Sequence, residues 1–325
     1  MNRSISKQRL MSRKATNWVQ SIFLLVGMTL LLALLGWFIA GGLGLMIATL
    51  GVMILVLSPK MSPQVILRMY RAQPLTPTNA PVISRLVQLL AQRAKLPSLP
   101  RLYYIPSNMM NAFAVGNPDQ AAIAVTDGLL RRLNRRELAG VLAHEISHVH
   151  NNDTWVMGLA DVVSRLTSTL SLGGQLLLLL SIPMMLFGLY SPPWLLLLLL
   201  ISAPTLSALF QLALSRTREY DADLDAARLT GDPSGLASAL AKLEHYQHGF
   251  FERILLPGRR IPDPSLLRTH PTTKDRIQRL LSLEDATSAT PVSHSVRVPN
   301  EALRLTAQRP QIVRVPRWRL SGLWY

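Results

Sequence analysis

The chain of 325 residues contains no cysteine, so it can form neither a disulfide framework nor a cysteine-ligated metal site. Any metal site must therefore use histidine and carboxylate side chains. Acidic residues are also few, with 18 Asp and Glu against 34 Lys and Arg, and the formal net charge is +16. Because no stripe of basic residues with interleaved aromatic residues accompanies this charge, we expect no nucleic-acid partner.

Two long stretches lack charge of either sign. No Asp, Glu, Lys or Arg occurs from residue 15 to 59 or from residue 166 to 215. As helix, each stretch would be about 68–75 Å long, roughly twice the ~30 Å hydrocarbon core of a bilayer, so each predicts a pair of crossings. Turn residues at 41–42 and at 191–193 divide them into predicted crossings at 18–40, 43–57, 169–190 and 194–214.

The charged residues predict the orientation in the membrane. All of them lie in 1–14, 60–165 and 216–325, and these segments must share one side. Five of the first fourteen residues are basic and none is acidic, which assigns that side to the cytoplasm. We therefore expect a multi-pass protein of the cell (inner) membrane, with both termini and any active site cytoplasmic. The first apolar run is too long for a cleavable signal peptide.

One short motif has the residue spacing of a metal-dependent catalytic site. His144 and His148 are one helical turn apart with Glu145 between them, which is the H-E-x-x-H spacing of zinc hydrolases. Asn134 and Glu137 form a capping-box pattern, so the predicted helix begins about ten residues before His144. Two imidazole nitrogens on one helix face can then converge on an ion, and Glu145 lies beside them, where it can take a proton from water. Chance occurrence on a surface helix is the alternative interpretation.

A peptidase site of this kind needs a third protein ligand. A metzincin would require Gly and His where this chain has Asn151 and Thr154, so that class is excluded. Glu219 is the best candidate, because Asp223 lies one turn beyond it and can hold the free N–H of a histidine ligand.

The neighbouring basic residues allow a different interpretation of this segment. Arg216 and Arg218 are typical of a charged, solvated helix start just below the membrane. We interpret His150 as an ordinary polar position, since it lies on another face of the helix from His144.

The remaining pattern predicts a small sheet and several helices. Three β-prone runs at 101–105, 111–115 and 121–125 precede the H-E-x-x-H helix. Further helices are predicted at 82–94, 215–229, 233–245 and 275–283.

The motifs together resemble the HtpX family of membrane-bound zinc metalloproteases, relatives of the type I CAAX prenyl proteases. The resemblance covers residues 15–285 and rests on the H-E-x-x-H motif, on Ser215-Arg-x-Arg-Glu-Tyr-x-Ala-Asp223, on Asn111-Ala-Phe-Ala114, and on Thr269-His-Pro271 with Arg276-Ile277. It leaves His150 and the tail unexplained.

The resemblance implies roles for individual residues and one Zn²⁺ per chain. His144, His148 and Glu219 would be the zinc ligands, Glu145 the catalytic base and Asp223 the partner of a histidine ligand. Asn111, Ala112, Phe113 and Ala114 would form a strand that pairs with the substrate backbone. His270 would steady the oxyanion.

The expected fold is mainly α, with four transmembrane helices in two hairpins and a cytoplasmic α+β catalytic domain of the zincin (gluzincin) type with a small β-sheet. The expected divisions are a basic N-terminus (1–14), the first hairpin (15–59), the first part of the catalytic domain (60–165), the second hairpin (166–215), the second part of that domain (216–284) and a basic extended tail (285–325).

The expected function is that of a metalloendopeptidase at the cytoplasmic membrane face. The resemblance implies quality-control cleavage of misfolded or damaged membrane proteins, so we expect membrane proteins or unfolded polypeptides as substrates and the lipid bilayer as a partner. Two alternatives stay open, a CAAX-type prenyl protease, which would have more crossings, and an inactive membrane scaffold.

The depth of the site relative to the membrane is also open. Glu219 lies about 6 Å of helix from the apolar segment, whereas His148 lies about 25 Å from Arg165. Either the fourth helix leaves the membrane near Gln211, or the chain bends after Asn152.

Overall fold

The computed structural model describes residues 2–57, 63–189, 191–254 and 273–288. The described part is mainly helical with one small mixed sheet. Its elements are, in chain order, α1 (Asn2–Leu57), α2 (Pro63–Met69), β1 (Gln73–Leu75), α3 (Pro81–Arg93), β2 (Arg101–Ile105), β3 (Ala112–Val115), β4 (Ala122–Thr126), α4 (Asp127–Arg132), α5 (Arg135–His150), α6 (Asp153–Leu180), α7 (Ile182–Leu186), α8 (Trp194–Thr230), α9 (Pro233–Ile254) and α10 (Thr273–Ser288).

The sheet has the strand order β1-β2-β4-β3. β2 and β4 are parallel, while β1 pairs antiparallel with β2 and β3 pairs antiparallel with β4. The three predicted strands are confirmed to within a residue, whereas β1 and α4 were not predicted. β3 is therefore an edge strand, and its free edge faces the helix that carries the H-E-x-x-H motif.

That helix, α5, begins at the predicted capping box. The Asn134 side chain accepts from the Glu137 backbone N–H at 3.0 Å, and the Glu137 carboxylate accepts from the Asn134 N–H at 2.9 Å. Leu142 and Ile146 are fully buried in a core shared with the sheet, α3 and α9. Burial of its apolar side chains therefore fixes α5, and its polar motif residues lie inside the domain.

The first apolar stretch forms a hairpin within α1. The backbone leaves helical geometry at Ala40 and at Gly41, which has a φ of 59°. Gly36 and Gly44 then lie backbone to backbone, because a Cβ added at Gly44 would be 1.9 Å from the Gly36 carbonyl oxygen. The two arms meet only because neither glycine carries a side chain. The predicted turn near Gly41 is confirmed.

Within the described ranges, three helices are long and apolar enough to cross a membrane. They span Ala15–Ile54, Asp153–Leu180 and Trp194–Thr230, and the first contains the break at Gly41. The helix that contains most of the third predicted crossing, 169–190, is α6, which begins at Asp153 and already ends at Leu180. Pro183 is placed to interrupt the helix, because it has no N–H to donate to the carbonyl of Leu179 one turn earlier.

A proline inside α8 is compensated by α6. Pro204 lacks an N–H, so the carbonyl of Leu200, one turn earlier, has no helical donor. The Ser171 hydroxyl and the Gln175 side-chain amide of α6 both donate to that carbonyl, the amide at 2.7 Å. In an apolar environment such bonds contribute roughly 0.6–2 kcal/mol each, so they help to join the two helices.

The chain bends between α5 and α6. Asn152 has a left-handed φ of 55°, and α6 starts at the next residue. The bend predicted after Asn152 is therefore observed. α8, by contrast, continues without a break from Trp194 to a C-terminal cap at Gly231, so one helix carries both apolar residues and Glu219.

Candidate metal centre

Three buried side chains converge where α5 meets α8. The Nε2 atoms of His144 and His148 are 3.1 Å apart. The Glu219 carboxylate lies 3.3 Å from His144 Nε2 and 3.6 Å from His148 Nε2. The candidate ligand atoms of the three residues all lie within 4.8 Å of one another. This is the group that the sequence predicted, and helix periodicity explains its two histidines.

The other nitrogen of each ring faces a carboxylate. His144 Nδ1 lies 3.1 Å from Asp223, as predicted, and His148 Nδ1 lies 2.7 Å from Asp153 at the start of α6. Asp223 and Asp153 are both buried. Asp153 accepts the Nδ1 proton of His148 and so fixes the orientation of that ring, while Asp223 lies in ion-pair contact with the Nδ1 side of His144.

A guanidinium group neutralises each of these carboxylates. Arg276 of α10 makes two hydrogen bonds to Asp223, at 2.7 and 2.6 Å, and its Nη1 lies 3.1 Å from Glu219. Arg218 donates from Nε to Asp153 at 2.6 Å. Each imidazole therefore ends a chain of histidine, aspartate and arginine.

This arrangement fits a bound divalent cation. A neutral imidazole whose Nδ1 donates to a carboxylate presents a lone pair on Nε2. His144 and His148 thus direct their Nε2 atoms towards each other and towards the oxygens of Glu219, so the three side chains offer convergent ligand atoms to a cation. Two imidazoles and one carboxylate are also a donor set used by catalytic zinc sites.

Glu145 lies beside the group. It is buried on α5, and its carboxylate accepts a hydrogen bond of 2.9 Å from the backbone N–H of Ala114 on β3. The strand that was predicted to hold substrate is thus in direct contact with the predicted base. Asn111, Ala112 and Phe113 precede this contact along the same edge.

The pKa of His144 is raised to about 9 from an ordinary value of 6.5. Burial lowers the pKa of this ring, but the hydrogen bonds to Asp223 and Glu219 outweigh burial because both favour the protonated imidazole. The pKa thus moves in the direction expected for an imidazole that faces two carboxylates.

Two predicted positions are not part of this group. His150 is exposed at the end of α5, which agrees with its interpretation as an ordinary polar residue. His270 lies outside the described residues, as does the tail from residue 289 onward.

The sequence reasoning missed the contacts that Asp153, Arg218 and Arg276 make around the histidines. The alternative interpretation took Arg216 and Arg218 both as solvated, but only Arg216 is exposed; Arg218 is buried and ion-paired. The correction has a physical reason, since the chain bend at Asn152 brings Asp153 against α8. The position of Asp153 five residues after His148 was the one available signal.

Comparisons with known proteins agree with these features. The model of peptidase family M48 matches residues 77–284. A protein named "Protease HtpX homolog" from Acaryochloris marina (strain MBIC 11017) is 44% identical over 238 residues, which are 69% of this chain and 79% of the relative. Another protein of that name from Burkholderia mallei (strain SAVP1) is 36% identical over 286 residues, 82% of this chain and 97% of the relative.

Among solved structures, the crystal structure of S. mikatae Ste24p is similar with a TM-score of 0.44 and 21% identity. The similarity covers 83% of this chain and 67% of that chain.

The raised pKa of His144 predicts how the stability of the metal-free protein depends on pH. A pKa raised above the unfolded value stabilises the folded state below pH 6.5, and this contribution is lost as the pH rises through about 9. We expect the thermal midpoint of the chelator-treated protein in detergent to fall between pH 6.5 and 9.5. In Asp223→Asn the fall should be smaller, because His144 loses a partner. Equal falls in the two proteins would contradict the assignment.

Proposed function

This chain belongs to peptidase family M48 and is a membrane metalloprotease, and from this premise we propose that it is a zinc endopeptidase acting at the cytoplasmic face of the membrane. One observation carries the proposal: His144, His148 and Glu219 converge beside Glu145 in a buried site. In this proposal those three residues hold one zinc ion, and Glu145 is the general base.

The mechanism follows from the surroundings of Glu145. When bound, zinc supplies the charge that activates water and polarises the scissile carbonyl. Glu145 takes the proton of the attacking water and then delivers it to the leaving amine nitrogen. The Ala114 N–H, 2.9 Å from the carboxylate, holds Glu145 in place between the ligands and the edge strand. A role for His270 at the oxyanion is proposed on the family resemblance alone.

The free edge of β3 is the proposed binding site for the substrate backbone. Because the Ala114 N–H points away from β4 towards Glu145, the alternation of an antiparallel ladder directs the Ala112 N–H to the same side. A peptide that adds to this edge as a strand passes next to Glu145. Strand addition recognises the backbone rather than particular side chains, which suits a protease for unfolded polypeptides.

The membrane arrangement supports the proposed substrates. Two arms of α1 together with α6 and α8 make four proposed crossings, and the turns near Gly41 and Ser191 would then lie on the side opposite the site. Glu219 lies four residues, about 6 Å of helix, beyond the last uncharged residue of its apolar stretch. A site so close to the bilayer suits membrane proteins and polypeptides presented at its surface. We propose quality control of misfolded or damaged membrane proteins as its role.

Replacing the base tests the chemistry directly. Glu145→Gln retains the shape of the side chain but cannot accept the proton, so we expect cleavage of an unfolded test substrate to fall at least about 100-fold while bound zinc stays near one per chain. Glu244→Gln on α9 is the matched control and should retain activity. A zinc-loaded Glu145→Gln protein with full activity would contradict the assignment, and a parent protein with neither zinc nor cleavage would favour the inactive scaffold.

Replacing Ala112 with proline tests the substrate strand. Ala112→Pro removes the outward N–H without removing a bond to β4, so we expect KM to rise about 3- to 10-fold, the effect of one hydrogen bond, with kcat and zinc content little changed. Ala112→Val, which retains the N–H and favours a strand, is the control. Unchanged KM in the proline variant, measured with an unfolded substrate, would contradict strand addition here.

The absence of cysteine allows a clean test of orientation. Single cysteines replacing Ser191 and Thr78, both exposed, would be the sole thiols in their proteins. We expect an impermeant thiol reagent to label Ser191→Cys in intact cells and Thr78→Cys only after permeabilisation. Labelling of Thr78→Cys in intact cells would place the catalytic domain outside the cytoplasm.

A further inference from the structure

A buried ion pair lies directly behind His148. Asp153 and Arg218 expose only 3% and 8% of their surface. Asp153 Oδ2 lies 2.7 Å from His148 Nδ1, while its other oxygen, Oδ1, accepts from Arg218 Nε at 2.6 Å. The two oxygens of one carboxylate therefore join the imidazole to the guanidinium.

The same guanidinium joins three helices. Arg218 belongs to α8, Asp153 begins α6, and Arg218 Nη2 also donates to the backbone carbonyl of Asn151 at the end of α5, at 3.2 Å. These contacts surround Asn152, whose left-handed conformation makes the bend. The guanidinium therefore fixes the bend at the point where the metal helix ends.

The pair also lies between the two chain segments that supply the ligands of the metal centre. His148 and Glu219 are separated in sequence by the whole second apolar stretch, yet Arg218 is the residue immediately before Glu219. Its bonds to Asp153 and Asn151 thus hold the helix of the carboxylate ligand against the end of the helix of the histidine ligands. A shift of α8 would separate Arg218 from Asp153 and Glu219 from His148 together.

We propose that Asp153 and Arg218 are positioning residues of the metal centre, with Asp153 orienting His148 and Arg218 holding both Asp153 and α8 in place. The inference rests on the proposed zinc site and adds two residues to it. Arg218 acts through Asp153, so removing either residue should loosen the same ligand. Loss of a carboxylate behind a metal-bound histidine typically weakens metal binding or activity about 10- to 100-fold.

The experiment measures metal binding by the full chain in detergent. The proteins are the parent, Asp153→Asn, Arg218→Gln and the double variant; the probes are zinc, titrated against a chelating dye, and cobalt, whose visible absorption reports ligand geometry. We expect each single variant to raise the Kd for zinc about 10- to 100-fold and to alter the cobalt spectrum. The loss in the double variant should be smaller than the sum of the two single losses, because Arg218 acts on His148 through Asp153.

A matched control lies on the same helix. Asp161 and Arg165 form an ion pair of 2.8 Å on α6, with the arginine side chain 69% exposed. The variant carrying Asp161→Asn and Arg165→Gln should keep the parental Kd and cobalt spectrum. A loss in this control as large as in Asp153→Asn would overturn the inference, since the effect would then belong to α6 in general.

Different outcomes separate this inference from the function it rests on. A parent protein that binds neither zinc nor cobalt would overturn the zinc assignment and this inference with it. A parent that binds zinc, together with a folded Asp153→Asn protein of parental Kd and cobalt spectrum, would overturn the inference alone. Losses that add up in the double variant would show that Arg218 does not act through Asp153. Asp153→Asn, which retains side-chain size, decides the matter where Arg218→Gln does not fold.

Discussion

The close approach of two imidazole rings to one carboxylate is the constraint on which the site depends. The Nε2 atoms of His144 and His148 are 3.1 Å apart, and Glu219 faces both. This arrangement requires positive charge close by, which Arg276 supplies in part, and it requires that each ring be held from behind. Asp223 and Asp153 hold the rings, and because both are buried, each needs a guanidinium partner of its own.

The apolar helices and the metal centre are joined through continuous helices. α8 continues from its apolar segment to Glu219 without a break, so any displacement of the helix within the bilayer reaches the ligand. The hydrogen bonds of Ser171 and Gln175 to the Leu200 carbonyl, one turn before Pro204, join α8 to α6 inside the apolar region. Arg218 joins the same two helices at the edge of that region. The protease is therefore assembled by packing between membrane helices as much as by its small sheet.

Local patterns were predicted well from the sequence, whereas the long-range contacts were predicted only in part, with those of Glu219 and Asp223 found and those of Arg218 missed. The histidine spacing, the capping box at Asn134 and the turn at Gly41 depend on residues within a few positions of one another, so periodicity and turn chemistry suffice. The burial of Arg218 depends on Asp153, which is 65 residues away and which approaches only because Asn152 turns the chain. A charged residue next to an apolar segment is interpreted as solvated when its ion-pair partner is not known. β1 was missed for a similar reason, since a three-residue strand has no pattern apart from its pairing with β2.

The balance of buried charge explains why a proton and a metal ion compete for one place. Four carboxylates of the site are buried, those of Glu145, Asp153, Glu219 and Asp223, and the described residues include two buried guanidinium groups, those of Arg218 and Arg276. As formal charges, the four carboxylates exceed the two guanidinium groups by two, which is the charge of one divalent ion. The pKa of His144 is raised to about 9 because its contacts with Asp223 and Glu219 favour the protonated ring by more than burial disfavours it. A third buried arginine would neutralise the same charge, but its permanent cation would occupy the place where the metal must bind. A bound divalent metal ion therefore supplies the positive charge that the buried side chains of the site lack.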